Sequence, residues 1–598
     1  MKINSQKTLL MLSFFLLVIV ALQISRMDIF YNNERFTAPL ITPLQPMGTG
    51  EILINPHQSG KTALLYDPLA TDREYVLVNF QSLLEKNRFD YDLISVEEDR
   101  SLKDYTLIIV LIAQYDRASL IHEVFDCVEA GATAYFPIVP ENSDSLISIS
   151  GVFGYVEKTS KLSCHALVDK EGFIGQAGQV YEFERAIPLR YWVRLRSDCT
   201  VYIQDEEATP LLWSRPMGKG LLYVNHCDFL SSYQSRGVIM EILYRSLKQQ
   251  KGESLVYPIS GTSTLLLEEF VSPFTIENSP MLEKEKLTYD KMMRTRIWPF
   301  ITKLIRNFDV KPVLSYVLSY ADNTDEDYAS NQFPLNEFKL HASEILDVGG
   351  EIAFHGYSMR PLGLEGQLLD VGWFVPWPSI EKIREAWEVA KNPVARFFPS
   401  YVISTYMPPQ GRIAPDVLAL LSDWDQNIEV IPLTCRREVA DQWIRDMERD
   451  DENPEFFYYT LVSCHDGLTW TVRNTLLSHG MVSMTLNMNQ VLQTSTKSFA
   501  QWSSELLQAM KTLQEYPALQ QTTIREAAVR IEQTQKATYW YKDTKDFIDM
   551  EIGEGFEGMQ FAIRSLVPLR QGEGYSIVSY SEDMYLVTLQ QAKIKILK

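Results

Sequence analysis

Three side chains near the middle of the chain could transfer protons or bind a metal ion. Glu268 and Glu269 lie near the end of the run STLLLEEF, and His355 follows the apolar stretch IAF. Carboxylates and imidazoles act as general acids and bases and coordinate divalent ions. Adjacent residues of a strand point to opposite faces, so Glu268 and Glu269 can serve one site only if the strand end bulges.

The strands that carry these residues belong to a longer repetition. Between residues 256 and 500, seven apolar runs alternate with amphipathic helical stretches, and the runs are STLLLEEF, KPVLSYVLSY, GGEIAFHGY, YVISTYMPP, NIEVIPL, FFYYTLVSC and HGMVSMTLN. This alternation predicts a β/α barrel whose strand ends form a ligand-binding rim. The polar residues expected at that rim are Glu268, Glu269, His355, Tyr406, Ser463 and Ser483.

A separate α/β domain is predicted over residues 61–252. Short apolar runs such as KTALLY and YTLIIVLIA alternate with helical stretches, which indicates a doubly wound, flavodoxin-like parallel sheet. Its ending, GKGLLYVNHCDF followed by a helix, resembles the class I glutamine amidotransferase-like fold of non-catalytic accessory domains. Neither Cys127 nor Cys227 lies on the glycine-flanked strand-to-helix turn that a nucleophilic cysteine needs. We therefore expect no catalysis by this domain.

The remaining segments frame these two domains. Residues 1–7 are predicted to be a cytoplasmic tail. The uncharged stretch 8–24 is predicted to be a signal anchor that is just long enough to span a bilayer. Residues 25–60 are rich in Pro, Thr and Gly and are expected to form a stalk. After the barrel, 501–535 are predicted to be a helical linker and 536–598 a small antiparallel β domain.

Charge and cysteine content exclude some classes of function. The formal net charge of −21 leaves no broad basic surface, so nucleic acid is not an expected partner. The six cysteines show no metal-ligand spacing, and we assign no disulfide. A cleaved signal peptide remains the alternative to the anchor, and either one predicts an exported, extracytoplasmic body.

The order of motifs in the barrel resembles the polysaccharide deacetylase fold. The motifs are the acidic pair at the first strand end, His355 at the third, a Pro-containing loop at the fourth and a polar seventh strand end. The chain is more closely similar to an uncharacterised bacterial membrane-anchored family with an amidotransferase-like domain and a deacetylase-like barrel. Some members of that family accompany exopolysaccharide genes of the Pel type. The resemblance implies an Asp-Asp pair, a divalent metal completed by H-x-x-x-H, and a late histidine as general acid.

The chain departs from that pattern at several positions. Glu268 and Glu269 replace the aspartates, and Met359 stands where the second imidazole is expected. Met484 aligns with the general acid and Asn487 with another histidine. A thioether is a poor ligand for a divalent ion of this kind. We expect a vestigial site without metal or other cofactor, in which His355 is either a packed histidine or a residue that contacts sugar.

A cluster of aromatic and proline residues could bind the sugar itself. Trp373 and Trp377 lie in VGWFVPWPS after the third strand, and Tyr406 and Pro408 lie in the loop of the fourth. Aromatic faces on a rigid loop suit stacking against a sugar ring. A tryptophan cluster also serves as core or as an interdomain contact, and the sequence leaves both interpretations open.

Together these features predict a membrane-anchored, extracytoplasmic pseudo-deacetylase that binds or scaffolds exopolysaccharide without hydrolysis. The expected partners are polysaccharide, the membrane through the N-terminal helix, and polysaccharide synthase or export proteins. The alternative is an active carbohydrate esterase, deacetylase or glycoside-processing enzyme with a Glu-based site, for which a divalent metal could be required. A purely structural interaction protein is a third hypothesis.

Overall fold

The computed structural model describes most of the chain from residue 61 onward. The described ranges are 15–17, 61–69, 74–112, 118–138, 147, 149–160, 163–189, 191–251, 254–271, 279–319, 333–368, 375–435, 447–449, 454–464, 466–494, 497–516 and 518–598. The predicted tail, stalk and nearly all of the predicted anchor lie outside these ranges. Within them, no helix combines the length and the apolar character needed to cross a membrane.

The first unit, residues 61–251, is built around a nine-stranded sheet. Its parallel strands follow the order expected of a doubly wound sheet, β2-β1-β3-β4-β11, and the antiparallel strands β10, β9, β6 and β7 extend it. The elements of the unit are β1 (Thr62–Tyr66), α1 (Glu74–Lys86), β2 (Tyr91–Ser95), β3 (Leu107–Leu111), α2 (Ala118–Ala130), β4 (Thr133–Phe136), β5 (Tyr155–Ser160), β6 (Ser163–Asp169), β7 (Gln179–Pro188), β8 (Tyr191–Leu195), β9 (Thr200–Asp205), β10 (Pro210–Met217), β11 (Gly220–Asn225) and α3 (Arg236–Lys251).

The second unit contains a curled, parallel sheet with the order β15-β14-β13-β19-β18-β16. Helices between the strands cover its outer face, as the alternating pattern predicts. The elements of this part are β12 (Leu255–Ile259), β13 (Thr262–Val271), α4 (Pro280–Glu285), α5 (Tyr289–Met292), a π turn (Met293–Ile297), α6 (Trp298–Phe308), β14 (Pro312–Ser319), α7 (Leu335–Asp347), β15 (Glu351–Ser358), α8 (Ile380–Phe397), α9 (Pro415–Trp424), β16 (Val430–Cys435), β17 (Glu448–Arg449), β18 (Phe457–Ser463), α10 (Leu468–His479), β19 (Val482–Asn487) and α11 (Met488–Gln493).

The fourth run of the predicted barrel forms only a short bridge between the two edges of the sheet. Tyr406 pairs with Phe354 of β15, and Thr405 pairs with Val430 of β16. Backbone hydrogen bonds support both pairings. The N–H of Met407 donates to the Phe354 carbonyl at 2.9 Å, and the N–H of Tyr406 donates to the Val430 carbonyl at 3.1 Å. The sheet therefore curls around a common interior, with this bridge in the place where the sequence predicts a strand.

The interior of the curled sheet is closed at the amino ends of its strands by a helix. The range predicted as a helical linker contains α12 (Phe499–Gln514), β20 (Gln520–Gln521) and α13 (Ile524–Lys536). Ile524 and Ile531 of α13 share one buried apolar cluster with the inward-facing Leu266, Val313 and Ala353. This helix is part of the barrel core, and it leaves the carboxyl ends of the strands as the open side.

The C-terminal unit is antiparallel, as predicted, and it recruits one strand from before the barrel. Its strands are β21 (Thr538–Asp543), β22 (Phe547–Glu554), β23 (Gln560–Arg564), β24 (Tyr575–Ser579), β25 (Met584–Leu589) and β26 (Lys593–Leu597). They form the sheets β12-β23-β25-β24 and β21-β22-β26. The segment between the first unit and the barrel is therefore structured, because β12 pairs with β23.

Helix α10 joins the first unit to the barrel. The Trp470 indole N–H donates to the Ser235 hydroxyl at 3.1 Å, and the Asn474 side-chain oxygen accepts from the N–H of Val238 at 3.1 Å. Gly237 lies so close to this helix that a Cβ at its position would stand 2.8 Å from the Asn474 Cα. The two units consequently share a tightly packed interface.

Truncating the helix that closes the barrel should destabilise the chain. We expect Ile531→Ala to lower the free energy of unfolding by about 2–4 kcal/mol, because it leaves a cavity among buried side chains. Urea denaturation would measure this loss. Gln533→Ala, at an exposed position of the same helix, is the control, and equal losses in both variants would contradict the role of α13.

Glu351, at the start of β15, should make stability depend on pH. Burial raises the pKa of this carboxyl above its usual range, against the opposing effect of hydrogen bonds from Thr405 and the Arg525 backbone. The unfolded chain loses the proton first, so stability falls as the pH rises above the usual pKa of 4.5. Glu351→Gln cannot ionise, and we expect its stability relative to the wild type to increase as the pH rises above about 5. Denaturation curves showing a pH-independent difference would contradict this.

Candidate functional site

Glu268, Glu269 and His355 come together at the carboxyl ends of β13 and β15. One potential ligand atom from each residue lies within 4.8 Å of the others. The three side chains are 4%, 3% and 1% exposed, respectively. A buried pair of carboxylates beside an imidazole is the kind of donor set that binds divalent ions.

A local change in backbone direction makes this convergence possible. Glu269 has φ of 61°, in the left-handed region that residues other than glycine rarely adopt. The pairing of β13 with β14 shifts between Leu267 and Val271. Without this bulge the two adjacent carboxylates would point to opposite faces of the sheet. The structure thus contains the bulge that the acidic pair requires.

The third strand is irregular at the corresponding point. The pairing of β14 with β15 shifts between Tyr316 and Val317, opposite His355. Gly356 follows with φ of 111°, a conformation that disfavours any side chain. Two neighbouring strand ends are therefore distorted where they deliver the candidate ligands, as is common beside functional sites.

Hydrogen bonds from β19 orient the two carboxylates. The Thr485 hydroxyl donates to Glu268 Oε2 at 2.9 Å, and Asn487 Nδ2 donates to Glu269 Oε1 at 3.1 Å. The other oxygen of Glu268, Oε1, lies 3.8 Å from His355 Nε2. Two ligands of one tetrahedral zinc ion lie about 3.3 Å apart, so a small movement would give that separation. The donor set therefore fits a divalent ion, with Thr485 and Asn487 as supporting residues.

The sequence analysis aligns Met484 and Met359 with expected histidines. Their positions differ from those of Thr485 and Asn487. Met484 is fully buried and belongs to the apolar core on the opposite face of β19. Thr485 and Asn487 face the acidic pair instead, because side chains alternate along a strand. Met359 is half-buried and lies just beyond the end of β15.

The predicted sugar-binding residues lie mainly in the core. Tyr406 is fully buried, and its ring packs against Phe354 and Trp387 at centroid distances of 5.5 Å and 4.7 Å. Trp377 is 2% exposed and donates its indole N–H to the Pro361 carbonyl at 3.2 Å. Pro408 is buried as well, while Trp373 lies outside the described residues. For Tyr406 and Trp377 the structure favours a packing role.

Tyr289 is a neighbour of the site that the sequence analysis does not identify. Burial, together with the carboxylates of Glu337, Asp290 and Glu269, raises the pKa of this half-buried tyrosine above its usual range. The phenol therefore remains protonated in the electrostatic field of Glu269. The only sequence indication is its place in the helical segment that follows the first barrel strand.

Comparison with known proteins identifies the family. The family described as "Uncharacterised protein conserved in bacteria (DUF2194)" matches residues 151–586, about 73% of the chain. This chain belongs to that family. The family match spans the second half of the first unit, the whole barrel and most of the C-terminal unit. No curated protein matches the chain.

The chain is similar to several solved structures. The chain is similar to Agd3, which is described as a novel carbohydrate deacetylase. The two chains are 10% identical, and they superpose with a TM-score of 0.44 over 90% of this chain and 99% of that chain. An exo-β-1,4-mannosidase from Opitutaceae bacterium strain TAV5 is 16% identical, with a TM-score of 0.24 over 31% of this chain and 35% of that chain. A putative ThuA-like protein from Bacteroides uniformis is 13% identical, with a TM-score of 0.25 over 34% of this chain and 97% of that chain.

The backbone at Glu269 yields a matched pair of variants. Glu269→Gly and Glu269→Ala both remove the carboxylate, but only alanine keeps the steric cost of positive φ. We expect the glycine variant to be more stable by about 1 kcal/mol, as measured by urea denaturation. An alanine variant as stable as the glycine variant would show that the backbone relaxes out of this conformation.

Proposed function

We propose that Glu268, Glu269 and His355 hold a divalent metal ion and that the barrel uses it to hydrolyse a carbohydrate ester or amide. The observation that carries this proposal is the convergence of three buried ligand atoms within 4.8 Å, made possible by the left-handed Glu269. The substrate class follows from the resemblance of the motif order to polysaccharide deacetylases. It corresponds to the active alternative among the hypotheses drawn from the sequence.

Electrostatics favours an ion at this position. Two carboxylates that are almost completely buried would repel each other, and burial of each charge is costly unless it is paired. A divalent cation would balance both charges. When bound, such an ion polarises a carbonyl and lowers the pKa of a water molecule.

The protein groups have separate roles around that ion. Thr485 donates to one oxygen of Glu268 and Asn487 to one oxygen of Glu269, and these hydrogen bonds orient the two carboxylates. A carboxylate in this arrangement can accept a proton from an attacking water molecule.

A second candidate function is binding of polysaccharide without hydrolysis. The observation that favours it is the character of β19, where Thr485 and Asn487 border the carboxylates. Neither side chain titrates near neutral pH, so this strand provides no general acid. In that case the protein would be the pseudo-deacetylase predicted from the sequence, anchored at the membrane and acting with synthesis or export proteins.

Metal content and acetate release distinguish the two functions. We expect the purified chain to retain about one zinc, manganese or cobalt ion after dialysis and to release acetate from acetylated amino-sugar oligomers. His355→Ala and Glu269→Ala should lose both properties. Glu388→Gln, which changes an exposed carboxylate on α8, is the control and should keep both. Stoichiometric oligomer binding without metal and without acetate release would contradict hydrolysis and favour the binding function.

A further inference from the structure

A polar cavity lies where the three units meet. This cavity of about 670 Å³, which we call the three-unit cleft, is lined by the loop 171–176 of the first unit, Arg473 of α10 and Arg564 of β23. Its mouth includes Leu566 at 47% exposure and the exposed Glu582. Since α10 covers the outside of the barrel, the cleft does not belong to the Glu268 site.

Two almost completely buried arginines line this cleft. Arg473 and Arg564 are each 7% exposed. Arg473 donates through Nη2 to Glu515 at 3.2 Å, and Arg564 Nη2 lies 2.8 Å from Glu241. Arg564 Nη2 also lies 3.2 Å from Asp583 Oδ1. These ion pairs hold both guanidinium groups at the wall of the cleft, where guanidinium N–H groups can donate to oxygen atoms of a ligand.

The loop 171–176 forms the wall beside Arg473 and is held rigidly. The buried carboxylate of Asp169 accepts the backbone N–H groups of Phe173, Ile174 and Gly175 at 2.6, 2.9 and 2.9 Å. A Cβ at Gly175 would lie 3.3 Å from the Arg473 Cδ and 2.5 Å from the Tyr181 hydroxyl. The loop is thus held close to the arginine before any ligand enters.

The charges and aromatic rings of the cleft indicate the chemical class of the ligand. Its lining includes five carboxylates and three guanidinium groups, so an anion would be repelled overall. Each guanidinium group is paired with a carboxylate of the lining, so these charges are largely neutralised within the wall. A neutral molecule rich in hydroxyl groups suits this lining, because each hydroxyl both donates and accepts hydrogen bonds. Tyr580, half-buried and packed on Tyr516 at 4.8 Å, adds an aromatic surface.

We propose that the three-unit cleft binds a neutral saccharide segment, separately from the barrel site. The choice of saccharide rests on the proposed function, whereas the cleft itself is defined by its own contacts. A segment held here would fix a polymer to the body of the protein while another part of the same polymer reaches the strand ends. Its volume lies within the range of ordinary ligand sites.

Titration calorimetry with the full chain tests this proposal. The probes are neutral tetramers of glucose and of N-acetylglucosamine, with a galacturonic acid tetramer as the anionic comparison. We expect a neutral tetramer to bind, and Arg473→Gln to weaken this binding by at least about tenfold through the loss of charged donors. Leu566→Trp should weaken it similarly by narrowing the mouth from an exposed position, without removing a buried contact.

Val567→Trp is the control, because Val567 is 45% exposed and adjacent but does not line the cleft. Its affinity should equal that of the wild type. The proposal is overturned if no neutral tetramer binds at millimolar concentration, if only the anionic tetramer binds, or if Arg473→Gln and Leu566→Trp both bind like the wild type. Metal content and acetate release are separate readouts, so failure of the barrel chemistry would not be mistaken for failure here.

Discussion

A parallel sheet has to bury both of its faces, and this constraint organises the whole chain. Helices cover the outer face, and α13 closes the interior at the amino ends of the strands. The interior then remains open to a ligand only near the opposite end. Glu268, Glu269 and His355 lie at that end, and Thr485 and Asn487 satisfy part of their hydrogen-bonding capacity. The position of the candidate site is therefore a consequence of how the barrel is sealed.

Much of this architecture follows from patterns that the sequence displays directly. Apolar runs alternating with amphipathic stretches predict the doubly wound sheet and the curled parallel sheet, and the alternation near the C-terminus predicts its antiparallel strands. The same logic brings the ends of the first and third barrel strands together. Glu268 and His355 could be assigned to one site from the sequence alone, because parallel strands end at one edge of a sheet.

The parts that could not be predicted depend on single backbone angles and on strand register. The sequence LEEF does not indicate that Glu269 adopts positive φ. A residue other than glycine keeps such a conformation only where the surrounding structure imposes it. A one-residue difference in register decides whether Met484 or Thr485 faces the carboxylates. The aromatic character of Tyr406 and Trp377 suits both a sugar platform and a core, and only their burial distinguishes the two roles. The sequence analysis assigns α13 to a linker, because the apolar face of this helix can be interpreted only once its partners in the barrel are known.

The interface at α10 has a consequence for the synthesis of the chain. Gly237 and Val238 leave the ribosome long before Asn474, their packing partner, has been translated. The face of α3 that carries them must therefore remain open to water while the greater part of the barrel is still being made. Apolar surface exposed for that interval is a natural binding site for chaperones and a point at which nascent chains can associate. Completion of α10 would end this exposure, so the maturation of the first unit is tied to the growth of a helix that is encoded far downstream.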